Sequence, residues 1–380
     1  MKRYITFSDL IYAFTPGKEA MPAPPIEIRN LPGTTTNYLV RDQGYFPVIV
    51  ALGGNEVLVA LRGGTGHIGL AGRLDVVRSR DGGMSWDAPL TIADSERDDR
   101  NPALGLASDG TLVLAYHWQG GYDAQGGWEP DLKRVDTRVV YSHDQGKTWT
   151  GDTLLNYTPL NGRSPFGKIR CGPDGTLYMP IYGGPVPANC TTAIQVGSSF
   201  FPTYLLRSFD HGRTWTDPLL VALGLNEGDL LLLPDGDWLF AARSETQAAL
   251  YTLRSSDQGK TWGDLRQATR DREHPPDLTL LANGYILLCF GCRNPPYGVQ
   301  ALLSPDQGRS WLSRRLLFAN DLPGLDIGYP STVRLAGGRL ITVYYSTGTR
   351  ETPHDFHAPI NAYCQAVCYS ENALLEAGAD

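Results

Sequence analysis

Phenol, imidazole, guanidinium and carboxylate side chains recur in this chain at the ends of apolar runs, not inside them. Arg62 closes LVALR, His117 closes LVLAYH, Tyr182 closes LYMPIY, Arg243 closes FAAR and Arg293 follows ILLCFGC. Other runs open on Tyr45-Phe46-Pro47, Asn101-Pro102, Ser164-Pro165, Asn226-Glu227, His274-Pro275-Pro276-Asp277 and Tyr329-Pro330. Charged groups of this kind are costly to crowd together unless they bind something, and these types supply acids, bases and anion clamps. Residues His117–Thr137 add Trp118, Tyr122 and Trp128 beside Asp123, Glu129 and Asp131, and Gly183–Pro202 forms a second long segment. Rings next to carboxylates suit stacking on sugar faces and hydrogen bonding to hydroxyls, so the expected partner is a carbohydrate. Redox and metal chemistry find no support. Cys289 and Cys292 form a lone CxxC inside an apolar run and read as buried thiols, and the six cysteines are too sparse for a disulfide scaffold. With no cluster of metal ligands and no phosphate-binding loop after a strand, no metal and no cofactor are expected.

The elements that position these residues are set by a repeat. SRDGGMSW at Ser79–Trp86, SHDQGKTW at Ser142–Trp149, SFDHGRTW at Ser208–Trp215, SSDQGKTW at Ser255–Trp262 and SPDQGRSW at Ser304–Trp311 all fit S-x-D-x-G-x-[ST]-W. Such a unit is a tight turn: Asp folds onto backbone N–H groups, Gly takes positive φ, and Trp plugs the turn into its sheet. Each box follows a short strand (RLDVVRS, TRVVYS, TYLLRS, LYTLRS, GVQALLS). Upstream lie two strands joined by a Gly turn, as in LLLLPDGDWLFAA and TLLANGYILLCF.

One unit is therefore a four-stranded antiparallel blade with its box between the third and fourth strands, and the chain is an all-β, six-bladed β-propeller with almost no helix. The box aspartates are 63, 66, 47 and 49 residues apart, which places insertions of roughly 15–20 residues in the second and third blades. A sixth unit starts at GYPSTVRLAGGRLITVYY and ends in NAYCQAVCYS without a box. Its outer strand is expected from the amino-terminal segment near Pro25–Leu31, which closes residues 1–380 into one domain. In this plan the entrances of the inner strands and the ends of the second strands share the face opposite the boxes, and both insertions fall there too.

Composition is compatible with a large core: 42% of residues are hydrophobic, and Gly 43 and Pro 27 fit many turns. The formal charge of −7 without a basic run argues against nucleic acid. No apolar stretch reaches membrane-spanning length. MKRYITFSDLIYAF is interrupted by Ser8 and Asp9 before a secretory run develops, so a cytoplasmic location is expected and no membrane partner.

The five boxes and the blade plan resemble the sialidase (neuraminidase) superfamily over nearly the whole chain. The resemblance implies roles for individual positions. Tyr329 in GYPSTVRL is similar to the family's Tyr nucleophile, and Glu227 in NEGDLLLLPDG to its partner base. Arg243 in FAARSE and Arg293 in FGCRNPP resemble arginines that clamp a substrate carboxylate, and Arg62 in LVALRGG a further first-blade Arg. Two positions depart from the pattern. The Arg-Ile-Pro signature reads Tyr45-Phe46-Pro47, so Tyr45 stands in place of the first clamp Arg. The position of the acid Asp falls at His67 in RGGTGHIGL, and His is a competent acid–base near neutral pH. Tyr45, His117 and Asp277 complete the expected substrate-binding set. The implied activity is hydrolysis of a terminal acidic sugar. A polysaccharide lyase using Tyr and His, and a carbohydrate-binding propeller without catalysis, are the alternatives.

Overall fold

The computed structural model describes residues 24–123, 125–127, 129–132, 135–186, 193–348 and 361–378. The amino-terminal reading of residues 1–23, the proposed stacking residue Trp128 and Cys190 lie outside this set.

Six antiparallel sheets follow one another around an axis. The first blade is Tyr45–Gly53, Glu56–Gly63, Arg73–Ser79 and Leu90–Ala93. The second is Asp98–Leu106, Leu112–Gln119, Val135–Ser142 and Thr150–Leu154. In the third, the inner edge is broken into Ser164–Pro165 and Arg170–Cys171, followed by Leu177–Tyr182, Pro202–Ser208 and Thr216–Leu223. The fourth runs Leu225–Leu232, Trp238–Ser244, Leu250–Ser255 and Gly263–Gln267. The fifth is Glu273–Leu280, Ile286–Cys292, Gly298–Ser304 and Leu316–Ala319. The sixth blade has Ile327–Arg334, Arg339–Thr347 and Ala362–Ser370, and its outer strand is Thr35–Arg41 from the amino-terminal end. Closure by an early strand occurs as expected, but ten residues later in the chain than Pro25–Leu31. That stretch instead gives Ile26–Glu27, paired in parallel with Leu316–Leu317 of the fifth blade, and a 3-10 turn whose Ile28 is fully buried.

Each seam between neighbouring blades is a separate apolar core, and the boxes close five of the six. Trp86, Trp149, Trp215, Trp262 and Trp311 each pack into the seam between their own blade and the preceding one. The sixth seam has no box. There the helix Glu371–Gly378 buries Leu374 beside Ile26 and Ile28. Within a box the hydrogen bonds form the expected net. Ser255 Oγ donates to Asp257 Oδ1 (2.8 Å) and accepts from Gly259 N (2.8 Å); Thr261 donates to Asp257 through N (2.9 Å) and Oγ1 (2.7 Å). These bonds, led by the Thr261 hydroxyl, hold the Asp257 carboxyl down at about 2. Gly308, at φ +85°, shows why the box needs glycine: a Cβ there would come within 2.6 Å of Leu239 Cδ2.

Asp257→Ala removes three of these bonds from a turn on the far side of the propeller. It should lower stability by about 1–3 kcal/mol in urea titrations and leave ligand affinity unchanged. A folded Asp257→Ala protein that has lost binding would show that the boxes, not the opposite face, carry the site.

Candidate active site

The inner strands enter the axis through a bulge. In five blades the register with the second strand slips at the entrance, between Tyr45/Val48, Arg100/Ala103, Leu225/Gly228, Glu273/Pro276 and Gly328/Ser331. A bulge re-aims side chains and ends regular pairing. In three of these entrances the residue before proline takes positive φ: Phe46 (54°), Asn101 (52°) and Tyr329 (49°). Non-glycine residues at such angles cost free energy that the surrounding structure must hold, which is common where function fixes a side chain.

At Tyr329 that hold is visible. Gly328 and Gly291 pack backbone to backbone: a Cβ on Gly328 would lie 2.8 Å from Gly291 Cα. Arg293 donates through Nη2 to Ile327 O (2.7 Å) and through Nη1 to His274 O and His274 Nδ1 (3.1 Å). The Tyr329 ring packs against Phe46 (centroids 4.8 Å apart), Phe166 (5.7 Å) and Tyr345 (5.7 Å) in an aromatic hub that also includes Tyr45 and Tyr182.

Out of this hub the Tyr329 hydroxyl donates to Glu227 Oε1, and Arg243 Nη1 donates to Glu227 Oε2 at 3.0 Å. The residues of this relay come from the sixth and fourth blades. Burial and the adjacent Glu227 charge push the phenol well above its ordinary range, while Arg243 and Arg293 pull it back. Burial disfavours the Arg243 charge, but Glu227 and Tyr329 outweigh it and hold the guanidinium firmly protonated. Arg243 Nε is buried with no hydrogen-bond partner among the described residues.

His67 approaches the hub from the loop after the second strand of the first blade. Its ring meets Phe46 edge-on (5.0 Å) and its Nδ1 lies 2.9 Å from Asp326 Oδ1, which also accepts from the Tyr345 hydroxyl (2.6 Å). Burial lowers the His67 pKa below the usual imidazole value, with Asp326 opposing. His274 is lowered as well, by burial and by the Arg293 charge. Both imidazoles are therefore neutral in the folded protein at pH 7, and an unfolded chain takes up protons near pH 6.5 that the fold resists. Their contribution to stability is complete above that pH and declines as pH falls. Urea midpoints should drop between pH 7.5 and 5.5, by less in His274→Gln than in the parent chain.

The other positions read from the sequence are engaged within the protein. Arg62 is fully buried. It donates to Asp98 Oδ1 through Nε (3.1 Å) and Nη2 (2.5 Å), and its remaining donors hold the carbonyls of Thr65, Gly66 and Gly69. It fixes the loop that carries His67 and presents no donor to a ligand. Asp277 lies below the hub, in a buried ion pair with Lys168, and accepts from Thr332 N (3.0 Å). With the neighbouring pair Arg170–Asp229 (2.7 Å) it forms a buried cluster of charges, and Asp277 and Asp229 line a small cavity shared with Phe46 and Tyr329. The Tyr45 ring is fully buried in the hub, and its hydroxyl has no hydrogen-bond partner among the described residues. Tyr122 and Trp118, expected to stack on sugar, bond to the approach to the second blade's inner strand: Tyr122 OH donates to Asp98 Oδ2 (2.5 Å) and Trp118 Nε1 to Ser95 Oγ (2.7 Å).

His117 lies on the wall of a cleft of about 630 Å³ between the second and third blades, next to the hub. Arg100 and Arg163 also line it. Neither was singled out from the sequence, although Arg100 immediately precedes the Asn101-Pro102 entrance. Asp326 was missed too; it precedes the strand of Tyr329 and gave no signal of its own. Among the described residues no group of His, Cys, Asp and Glu side chains has the arrangement of a metal site.

The propeller thus carries its Asp boxes on one face and the Tyr329–Glu227–Arg243 series at its axis. The chain belongs to the BNR repeat-like domain family, whose pattern matches residues 60–342. It is 24% identical over 189 residues to a sialidase of Micromonospora viridifaciens, a match covering 45% of this chain and 28% of that relative. Among solved structures, a protein of unknown function from Dyadobacter fermentans superposes with TM-score 0.72 at 20% identity, covering 90% of this chain and all of the other. The Hadza microbial sialidase Hz136 superposes with TM-score 0.65 at 17% identity, covering 87% of this chain and 66% of its own.

Proposed function

We propose that this chain is an exo-glycosidase that hydrolyses the bond to a terminal acidic sugar through a covalent intermediate on Tyr329. The observation that carries this reading is the hydrogen-bonded series Tyr329–Glu227–Arg243 at the mouth of the axis. A buried phenol is a poor nucleophile until its proton has somewhere to go, and Glu227 is in contact with it. As the Tyr329 oxygen bonds to the anomeric carbon, Glu227 takes the phenol proton and the glycosidic C–O bond breaks. His67 delivers a proton to the departing oxygen. Water then attacks the same carbon with His67 as base, and Tyr329 leaves with the proton returned by Glu227. An uncharged nucleophile suits a substrate that carries its own carboxylate, because a carboxylate nucleophile would be repelled. Arg243, whose Nε has no hydrogen-bond partner among the described residues, supports binding of that group, and the Arg293 guanidinium lies 5.7 Å from the Tyr329 ring.

The test is a screen against aryl glycosides of sialic, other ulosonic, uronic and neutral sugars. Release of the aryl alcohol from an acidic glycoside, with a saturated sugar as product, supports the reading. An unsaturated sugar absorbing in the near ultraviolet would instead identify a lyase, and hydrolysis confined to neutral glycosides would remove the carboxylate clamp from the account.

A further inference from the structure

The cleft between the second and third blades has an electrostatic character that the Tyr329 centre does not explain. Its walls carry Arg100 from the entrance of the second blade and Arg163 from the turn leading into the third, with amides from Asn101 and Asn161 and rings from Tyr182 and Phe201. Among the described residues none that line it is acidic. Arg100 Nη1 lies 3.6 Å from Asp98 Oδ2, an ion pair at the long end of the range. That carboxylate is already engaged by Arg62 at 2.5 Å and by the Tyr122 hydroxyl. Two guanidiniums thus share one anion, and Arg100, its side chain 11% exposed, is left with surplus positive charge in a nearly desolvated place. Arg163 is exposed, and its guanidinium makes no hydrogen bond or ion pair among the described residues. Its backbone is nevertheless fixed, donating through N to Thr137 Oγ1 (3.0 Å). This excess of positive charge occurs in a chain whose net charge is −7.

The cleft is also joined to the hub. Asn101 Nδ2 donates to Ser164 Oγ (3.0 Å) and to Tyr182 OH (3.4 Å). The Tyr182 phenol feels the Glu227 charge from one side and lines the cleft on the other. Phe201, 37% exposed, packs against Tyr182 with centroids 6.0 Å apart and offers a ring face at the cleft wall. An aromatic ring beside the unpaired Arg163 guanidinium, and beside Arg100, which shares its carboxylate with Arg62, fits a sugar unit that bears an anion.

We infer that this cleft is a second anion-binding subsite, and that the substrate is a glycan with a further carboxylate or sulfate group beyond the one held near Glu227. The inference rests on the proposed function only in placing the reacting sugar at Tyr329; the cleft itself is tested by binding alone. Calorimetric titration of the full chain with inorganic sulfate, at ionic strength held constant with NaCl, should show saturable binding. Arg163→Ala should weaken it about tenfold, with Arg163→Lys in between, because a hydrogen bond to a charged group is lost. Arg243→Ala should leave it unchanged.

Arg163 is exposed, so its variants will fold, and thermal unfolding of Arg100→Gln shows whether that variant can be scored as well. Absence of saturable sulfate binding, or equal binding in Arg163→Ala and a folded Arg100→Gln, overturns the subsite. So does a loss in Arg243→Ala as large as that in Arg163→Ala, which would locate the anion at the Glu227 centre. Repeating the titration with saturating sialic acid separates the two sources of the second anion. Unchanged sulfate affinity assigns it to a neighbouring sugar, and competition assigns it to the reacting sugar. No turnover is measured, so an inactive protein that binds sulfate through Arg163 leaves the subsite standing and removes only the proposed hydrolysis.

Discussion

Tyr329→Phe will leave a folded protein with turnover reduced by at least about a thousandfold, the scale of losing a nucleophile. The substitution removes one oxygen. The ring keeps its contacts with Phe46, Phe166 and Tyr345, and the positive φ at this position is held by the backbone packing of Gly328 on Gly291 and by Arg293 on the Ile327 carbonyl. Glu227 loses a donor yet keeps Arg243 at 3.0 Å, so no buried charge is orphaned and the stability change should stay near 1 kcal/mol. Turnover responds differently, because without the phenol oxygen no bond to the anomeric carbon can form at this position. Full activity in Tyr329→Phe would show that the chemistry runs elsewhere, with His67 and Asp326 the next groups to test. Glu227→Gln is the companion measurement. It retains shape but cannot accept the phenol proton, so it should lose activity while ligand binding is largely kept.

The architecture was legible because its signals are local. Five boxes share every fixed position, and the Gly turns between paired strands repeat with them, so blade number and strand order follow from the text of the chain. Closure was legible in kind but not in place. IEIRNL and TTNYLVR are both short candidates near the amino terminus, and only pairing with Ala362–Ser370, more than three hundred residues away, selects the second. The same limit governs the site. Arg62, Arg243 and Arg293 all close second strands and look alike in sequence. Whether such an arginine meets a ligand depends on what the next blade brings. Arg62 meets Asp98 and is covered by the carbonyls of its own glycine-rich loop, Arg293 meets the Ile327 and His274 carbonyls, and Arg243 meets Glu227. Asp277 shows that depth is equally hidden. Its entrance sequence resembles that of Glu227, but the fold pairs it with the buried Lys168. Aromatic residues of the second-blade insertion were assigned by type alone, and type does not distinguish a ring that stacks on sugar from one, like Tyr122, that bonds to the inner strand of its own blade.

His67→Gln will cost about a hundredfold or more on a glycoside with a sugar leaving group, and less than about tenfold on a nitrophenyl glycoside. The difference follows from where the proton is needed. An alkoxide leaving group must be protonated as the bond breaks, whereas a nitrophenolate departs without help, so only the first substrate depends on an acid. His67 is placed for that role by Asp326, which holds its Nδ1 at 2.9 Å while bound by the Tyr345 hydroxyl. The pH dependence has a definite sign. Burial holds the His67 pKa below the ordinary imidazole value, and only the protonated ring can act as the acid. The rate on the poor leaving group should therefore fall as pH rises through a midpoint under about 6.5. Asp326→Asn removes the charge that favours the imidazolium, so that midpoint should move further toward acid. On the nitrophenyl substrate the same limb should be shallow or absent. Equal losses on both substrates in His67→Gln would mean that the residue positions the hub rather than delivering a proton. A pH limb unmoved by Asp326→Asn would detach the carboxylate from the acid. Either result would leave the Tyr329–Glu227 step intact and direct the search for the acid to the cleft residues around His117.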